Sequence, residues 1–199
     1  MAGISKDLVK RALSAHAAIG LLAGAILYLI CVTGTLVVFY EEFQRIEQPE
    51  APEMHAIAPE AVANGVAAVI ASEAGQPPTT HLYVHMPTEA LPRTTITTDT
   101  QAVHLDAEGR IAAPEENLWS EFLLALHYRL TMPAVIGMTL VGLFGVMLLA
   151  LVLSGVIAHP RIFRDAFRLR ARDRGGVGLI DWHNRLGVWT LPFAVISAL

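Results

Sequence analysis

Two of the eight histidines open the same short pattern: His16-Ala17-Ala18-Ile19-Gly20 and His183-Asn184-Arg185-Leu186-Gly187 both read His-x-x-x-Gly at the start of an apolar run. On a helix the glycine falls one turn from the imidazole, on the same face. A neutral imidazole can give one ring nitrogen to iron, and a glycine one turn away leaves room for a flat macrocycle. Two parallel helices carrying this pattern offer the donor pair of a bis-histidine haem b. Gly24 and Gly34 continue the His16 face, and Gly145 bears the same spacing to His127 as Gly34 bears to His16. Glycine-lined faces also let membrane helices pack closely with no cofactor between them, and an interfacial histidine can equally serve as a headgroup contact.

His127 and His159 bracket the second apolar run. On one straight helix the residues between them span about 48 Å, so the two cannot share a site. Two levels follow: an inner haem held by His16 and His183, with His159 as a spare candidate, and an outer haem held by His127 with a histidine from a helix not in this sequence. Asp181, two residues before His183, can orient the second ring nitrogen or cap the helix, and aspartate is a favoured N-cap. His81 and His85 sit at i and i+4 of an expected strand, about 13 Å apart, too far to share a metal. Together with His55 and His104 they read as solvated or domain-surface residues. Cys31 is the sole cysteine, which excludes an intrachain disulfide and a thiolate metal cluster. The sequence holds no nucleophile–base motif, phosphate loop, or nucleotide or flavin fingerprint, so the electron donor would be a quinol, a separate protein or another domain.

The elements that must position these histidines are membrane helices. The chain is 54% hydrophobic and 16% charged, with a mean hydropathy of +0.50. Ala17–Tyr40 and Thr131–Ala158 contain no charged residue, and each is long enough to cross a hydrocarbon core of about 30 Å. The first run exceeds a secretory h-region and no small-residue cleavage site follows it, so it reads as a retained anchor. Lys6, Lys10 and Arg11 precede the first run, and Arg161, Arg164, Arg168, Arg170, Arg172 and Arg174 follow the second, whereas 41–125 holds only Arg45, Arg93 and Arg110. The positive-inside rule therefore puts the N-terminus and the arginine loop in the cytoplasm and exports the middle segment. Fourteen of the eighteen acidic residues lie in that segment. The arginines suit anionic lipid headgroups, and nothing points to nucleic acid. The last apolar segment, Leu186–Leu199, is about 21 Å of helix with no polar stop, so the sequence is expected to end inside a third span.

The resulting layout is a cytoplasmic N-terminus (1–16), a first span (17–40), a Pro-rich linker (41–57), an exported domain (58–112), a returning segment (113–130), a second span (131–158), a basic loop (159–182) and the start of a third span (183–199). The exported domain opens with a helix from Pro59 to Ala74, with Pro at its first turn and Gly75 past its end. Three short alternating strands follow, at His81–Met86, Arg93–Thr98 and Gln101–Leu105, and Asp106–Arg110 is a closing turn in which Gly109 supplies a positive φ. The expected fold class is an α-helical integral membrane protein, a transmembrane helix bundle, with a small α+β extracytoplasmic domain between the first two spans. Pro133 marks a kink or a new helix start, and Pro160 stops the second span at His159.

The helix-then-strands segment from Ala58 to Ala112 resembles a PepSY domain, and nearly the whole chain resembles the N-terminal part of the PepSY-associated transmembrane helix family. The motifs that carry this are His16-x-x-x-Gly20, Thr33-Gly34, Leu126-His127-Tyr128-Arg129-Leu130, Ser154-Gly155 and Asp181-Trp182-His183-Asn184-Arg185-Leu186-Gly187-Val188-Trp189. The resemblance implies a bacterial inner-membrane protein, with His16, His127 and His183 as haem ligands and iron chelated by a siderophore as one acceptor; His159 has no firm counterpart. It gives a haem-b electron carrier that works from an unidentified donor inside to a periplasmic acceptor. The competing reading has no redox role: a membrane-anchored binding module whose PepSY domain holds a peptide, a protease or a respiratory complex, or an accessory subunit of a larger membrane complex; a periplasmic protein is a partner either reading allows.

Overall fold

The computed structural model describes residues 5–166 and 177–198. In chain order its elements are α1 (Lys6–Val37), α2 (Tyr40–Glu47), α3 (Pro59–Ser72), β1 (Tyr83–His85), β2 (Thr94–Thr97), β3 (Ala102–Leu105), β4 (Ile111–Pro114), α4 (Leu118–Arg129), α5 (Ala134–Ala158), α6 (Ile162–Asp165) and α7 (Val177–Ala198). They group into two compact units, one of residues 1–34 and 125–199 and one of residues 35–124. Arg168, Arg170, Arg172 and Arg174 of the basic loop lie outside the described residues.

In the first unit α1 and α5 are long and apolar enough to cross a membrane. Leu21, Leu22, Val135, Ile136, Val146 and Leu153 point outward from them, as lipid-facing side chains do when the helix satisfies its own backbone. α5 packs along α7, and the short α6 also contacts α7. The stretch from His127 to His159 is not one straight helix, and Pro133 starts a new helix, one of the two alternatives it offered in the sequence. Leu130 and Thr131 take left-handed φ values of 52° and 57°, Pro133 holds the N-cap position with ψ 137°, and α5 begins afresh at Ala134. The cause is a close approach: a Cβ on Gly137 would stand 2.1 Å from the Arg129 carbonyl oxygen. The 48 Å separation inferred for His127 and His159, and the helical phase inferred between His127 and Gly145, therefore do not apply.

Two further expectations change here. α7 begins at Val177, not at His183, so it runs for 22 residues. Asp181 is consequently an interior, buried residue of that helix and not its N-cap.

The second unit is an antiparallel sheet in the order β1-β2-β3-β4, with α3 against one face. Ala61, Gly65 and Val69 line the buried side of α3 at four-residue spacing. Val69, Ile96, Val103 and Leu105 form the core, flanked by Ile57, Val66, Leu82 and Val84. Gly65 admits Leu105, whose Cδ1 would lie 2.3 Å from a Cβ there. The sheet has four strands where three were expected. Ile111–Pro114 carries two alanines and a proline, a weak strand signal, and the edge position is where a sheet tolerates proline. Gly109, at φ 80°, makes the turn into that strand.

The linker expected over 41–57 contains α2. Arg93, the residue before β2, caps the end of this helix: its guanidinium donates to the Gln44 carbonyl at 3.2 Å and to the Gln48 carbonyl at 2.7 Å. Glu47 in turn accepts hydrogen bonds from the backbone N–H groups of Trp119 at 2.6 Å and Ser120 at 2.9 Å, at the start of α4. Because α2 lies against the second face of the sheet, His104 is 2% exposed and not the surface residue expected from alternation.

His104 Nε2 donates to Gln48 Oε1 at 3.0 Å. The Gln48 amide is oriented by the Glu116 N–H, which donates to Oε1, and by the Pro114 carbonyl, which accepts from Nε2. His104 Nδ1 is buried without a partner, and burial, with the Arg93 charge beside it, holds the ring down at about 4. The folded-state value lies below the ordinary histidine value of about 6.5, so this contribution to stability is complete above about pH 6.5 and is lost as pH falls toward 4. Its size is on the order of 3 kcal/mol. Hydrogen exchange of β2 and β3, corrected for intrinsic rate, is expected to lose protection across that window in the parent protein and to change much less in His104→Gln.

Candidate functional site

His16 lies in the first half of α1 and reaches α5. Its Nδ1 sits 3.0 Å from the Leu151 carbonyl oxygen and 3.3 Å from Ser154 Oγ. The ring lies over Gly155, where a Cβ would stand 3.1 Å from Cε1 and 3.3 Å from Nδ1. His127 repeats the arrangement in the opposite sense, reaching from α4 to α1. Its Nδ1 sits 3.0 Å from the Ile30 carbonyl oxygen, and a Cβ on Gly34 would stand 2.6 Å from its Cε1. In both cases the accepting carbonyl lies four residues before the glycine and a hydroxyl residue lies one before it. Thr33 Oγ1 donates to Leu29 and Ile30 carbonyls at 2.9 and 3.0 Å; Ser154 Oγ donates to Ala150 and Leu151 carbonyls at 2.6 and 3.2 Å.

These seats decide the chemistry of the rings. A carbonyl oxygen only accepts, so Nδ1 must carry the proton in both histidines. In the neutral ring Nε2 then keeps its lone pair, which is the state of a histidine poised to ligate a metal, with its other nitrogen oriented by a backbone carbonyl. Eighteen residues of α1, about 27 Å of helix, separate His16 from Gly34, so the two seats lie at different heights along that helix.

The structure brings His183 to His16: their ring centroids are 5.9 Å apart, with the planes at 72°. Two imidazoles on opposite sides of one metal stand about 6 Å apart at the centroids, given metal–nitrogen bonds of about 2 Å. Among the described residues no atom beyond its own stretch of helix lies within 4 Å of where a Cβ on Gly187 would sit, one turn from His183. Among the described residues no three metal-ligating side chains converge. A pair of imidazoles suits an iron whose other four ligands come from a macrocycle, and the residues present fit a haem. Gly34 and Gly145 do not share in this site as the glycine spacing implied: Gly34 holds the His127 ring, and the nearest atoms to Gly145 belong to Ala198.

His159 is the C-cap of α5, its backbone N–H donating to the Gly155 carbonyl at 3.2 Å. His81 lies outside β1 and pairs with Asp99 at 2.6 Å. The hydroxyl-glycine pairs Thr33-Gly34 and Ser154-Gly155 are visible in the sequence, but their part as seats for histidines of other helices is not, since spacing along one helix says nothing of what packs on it. The second unit carries its own groove, of about 720 Å³, between α2 and the second face of the sheet.

A family model described as the PepSY-associated TM region matches residues 13–199. Over 77 residues the chain is 46% identical to the "Uncharacterized protein PA4219" of Pseudomonas aeruginosa, a match that covers 38% of this chain and 19% of that protein. The matched stretch is thus about a fifth of that relative's length. No solved structure matches the chain.

Proposed function

Because the chain belongs to the PepSY-associated TM family and is a helical membrane protein, we propose that it is a haem-b protein that carries electrons across the bacterial inner membrane, from a donor on the cytoplasmic side to an acceptor in the periplasm. The observation that carries this reading is the His16–His183 pair, 5.9 Å between centroids, with the His16 proton fixed on Nδ1 by the Leu151 carbonyl.

His16 and His183 would hold the inner haem. His127, whose proton is fixed on Nδ1 by Ile30, would give one ligand to an outer haem, with the other coming from a further helix. His159 remains a spare ligand at the inner level. Bound haem supplies one-electron chemistry at iron, with a potential set by its axial ligands and their hydrogen bonds. The chain's own part is to hold His16 and His127 in the ligating tautomer, half-buried between apolar helices, and to set the two at different heights along α1. The basic residues flanking the spans support a cytoplasmic N-terminus and a periplasmic 35–124 unit, PepSY-like in kind. Iron chelated by a siderophore is the acceptor class we favour, and a quinol or a separate protein the donor class.

The test is the reduced-minus-oxidised visible spectrum of the protein purified in detergent after expression with ample haem. Sharp b-type bands are expected, with the inner-haem component lost in both His16→Ala and His183→Ala. A protein without haem absorbance sinks the redox reading and leaves a membrane-anchored binding module.

A further inference from the structure

The groove of the 35–124 unit belongs to no part of the haem reading. Its walls carry three carboxylates, Glu41, Glu115 and Glu121, and one guanidinium, Arg93. Arg93 is 2% exposed and is already engaged by the Gln44 and Gln48 carbonyls and by Glu53, at 3.4 Å. It therefore leaves the groove acidic. The other hydrogen bonds on this wall are internal to it: Tyr40 donates its hydroxyl to Glu121, and Asn117 donates from Nδ2 to Glu115 at 2.8 Å.

A second observation points to a ligand. Asn117 lines the groove at 6% exposure, and its Oδ1, an acceptor, is buried with no partner. An orphaned acceptor among carboxylates calls for a donor-rich cation. Burial pushes the Glu115 carboxyl up; His85, which also lines the groove, acts against that rise, and the neighbouring Glu121 charge adds to it. Among the described residues no three His, Cys, Asp or Glu side chains stand close enough to hold a metal ion together, so an organic cation suits the lining better than a bare ion. Val84, Met86 and Leu91 add an apolar stretch to the lining, and about 720 Å³ is the size of a small-molecule pocket.

We propose that this groove binds a small organic cation of the alkylammonium or guanidinium class, with its charged group against Glu115, Glu121 and Asn117 and its carbon chain along the apolar lining. The recognition logic is charge and donor count at one end and methylene contact at the other.

The experiment is calorimetric titration of the full chain in detergent micelles with cadaverine and with agmatine, using 1,5-pentanediol as the uncharged counterpart. One-site binding of at least one amine is expected, weakened tenfold or more in Glu115→Gln and in Glu121→Gln and falling with added salt. Ala102→Leu fills the lining while leaving every charge in place, and is expected to cause the same loss; protection of β2 and β3 amides from exchange certifies the fold of each variant. Absence of saturable binding by either amine, binding that survives all the folded variants, or equal binding of pentanediol overturns the proposal. So does saturable Mn²⁺ binding that the amines fail to displace.

Discussion

Gly34→Ala is expected, on the proposed haem-b function, to strip the outer haem from the protein while leaving the inner one in place. A Cβ at position 34 would stand 2.6 Å from His127 Cε1, 3.1 Å from Nδ1 and 3.3 Å from Nε2, so the ring cannot stay over the helix at its present height. Moving the ring breaks the bond from Nδ1 to the Ile30 carbonyl, and with it the orientation of Nε2 and the preference for the ligating tautomer. The haem-to-protein ratio of the holoprotein should fall by about half, with the His16–His183 component of the spectrum unchanged. Gly155→Ala acts at the other level and more mildly. Its Cβ would stand 3.1 Å from His16 Cε1, a distance that a shift of a few tenths of an ångström relieves, so the expected result is a retained inner haem with a displaced midpoint potential. Gly24→Ala is the control, because among the described residues no atom beyond its own stretch of helix lies within 4 Å of a Cβ there. Haem content that is identical in Gly34→Ala and Gly24→Ala would show that the His127 seat holds no ligand.

The second large effect concerns stability of the 35–124 unit. Gly109→Ala is expected to destabilise it by on the order of 3 kcal/mol. Two costs act together: Gly109 has φ 80°, a conformation that strains any residue with a Cβ, and that Cβ would stand 1.9 Å from the Ala61 carbonyl oxygen and 2.6 Å from its carbon. The obstacle is helix backbone, which cannot swing aside as a side chain can. The turn from Asp106 to Arg110 also holds the start of β4, through Asp106 Oδ1 accepting from the N–H groups of Glu108 and Arg110. Loss of exchange protection across α3, β3 and β4, with α5 and α7 unaffected, is the expected pattern. A variant with parent-like protection in α3 would refute the close packing of the turn on that helix.

Much of this molecule is legible in one dimension, for identifiable reasons. Apolar runs longer than a bilayer is thick mark α1 and α5 because a helix in lipid must be apolar on every side. Pro59 and Gly75 bracket α3 because both act through their own backbone restrictions. The positive φ at Gly109 is likewise a local property of the residue. His16 and His183 can be singled out together because their shared pattern is written in the sequence.

The remainder depends on contacts that no local pattern encodes. Residues 41–57 read as linker because the helix at their start is capped by Arg93, a residue distant in sequence that lies just before β2. His104 reads as exposed because alternation marks two faces of a strand but cannot tell that both are covered. Pro133 marks the start of α5 in the sequence, but the turn before it does not show there, because it rests on left-handed residues that are neither glycine nor asparagine and on Gly137 admitting the Arg129 carbonyl. The same holds at the candidate site. The sequence by itself determined which imidazoles are available and that they sit on apolar helices. Only the tertiary structure decided that His16 rests on Gly155 and His127 on Gly34, and so which ring nitrogen keeps its proton, because a proton's position follows from the acceptor it faces and that acceptor is a carbonyl of another helix.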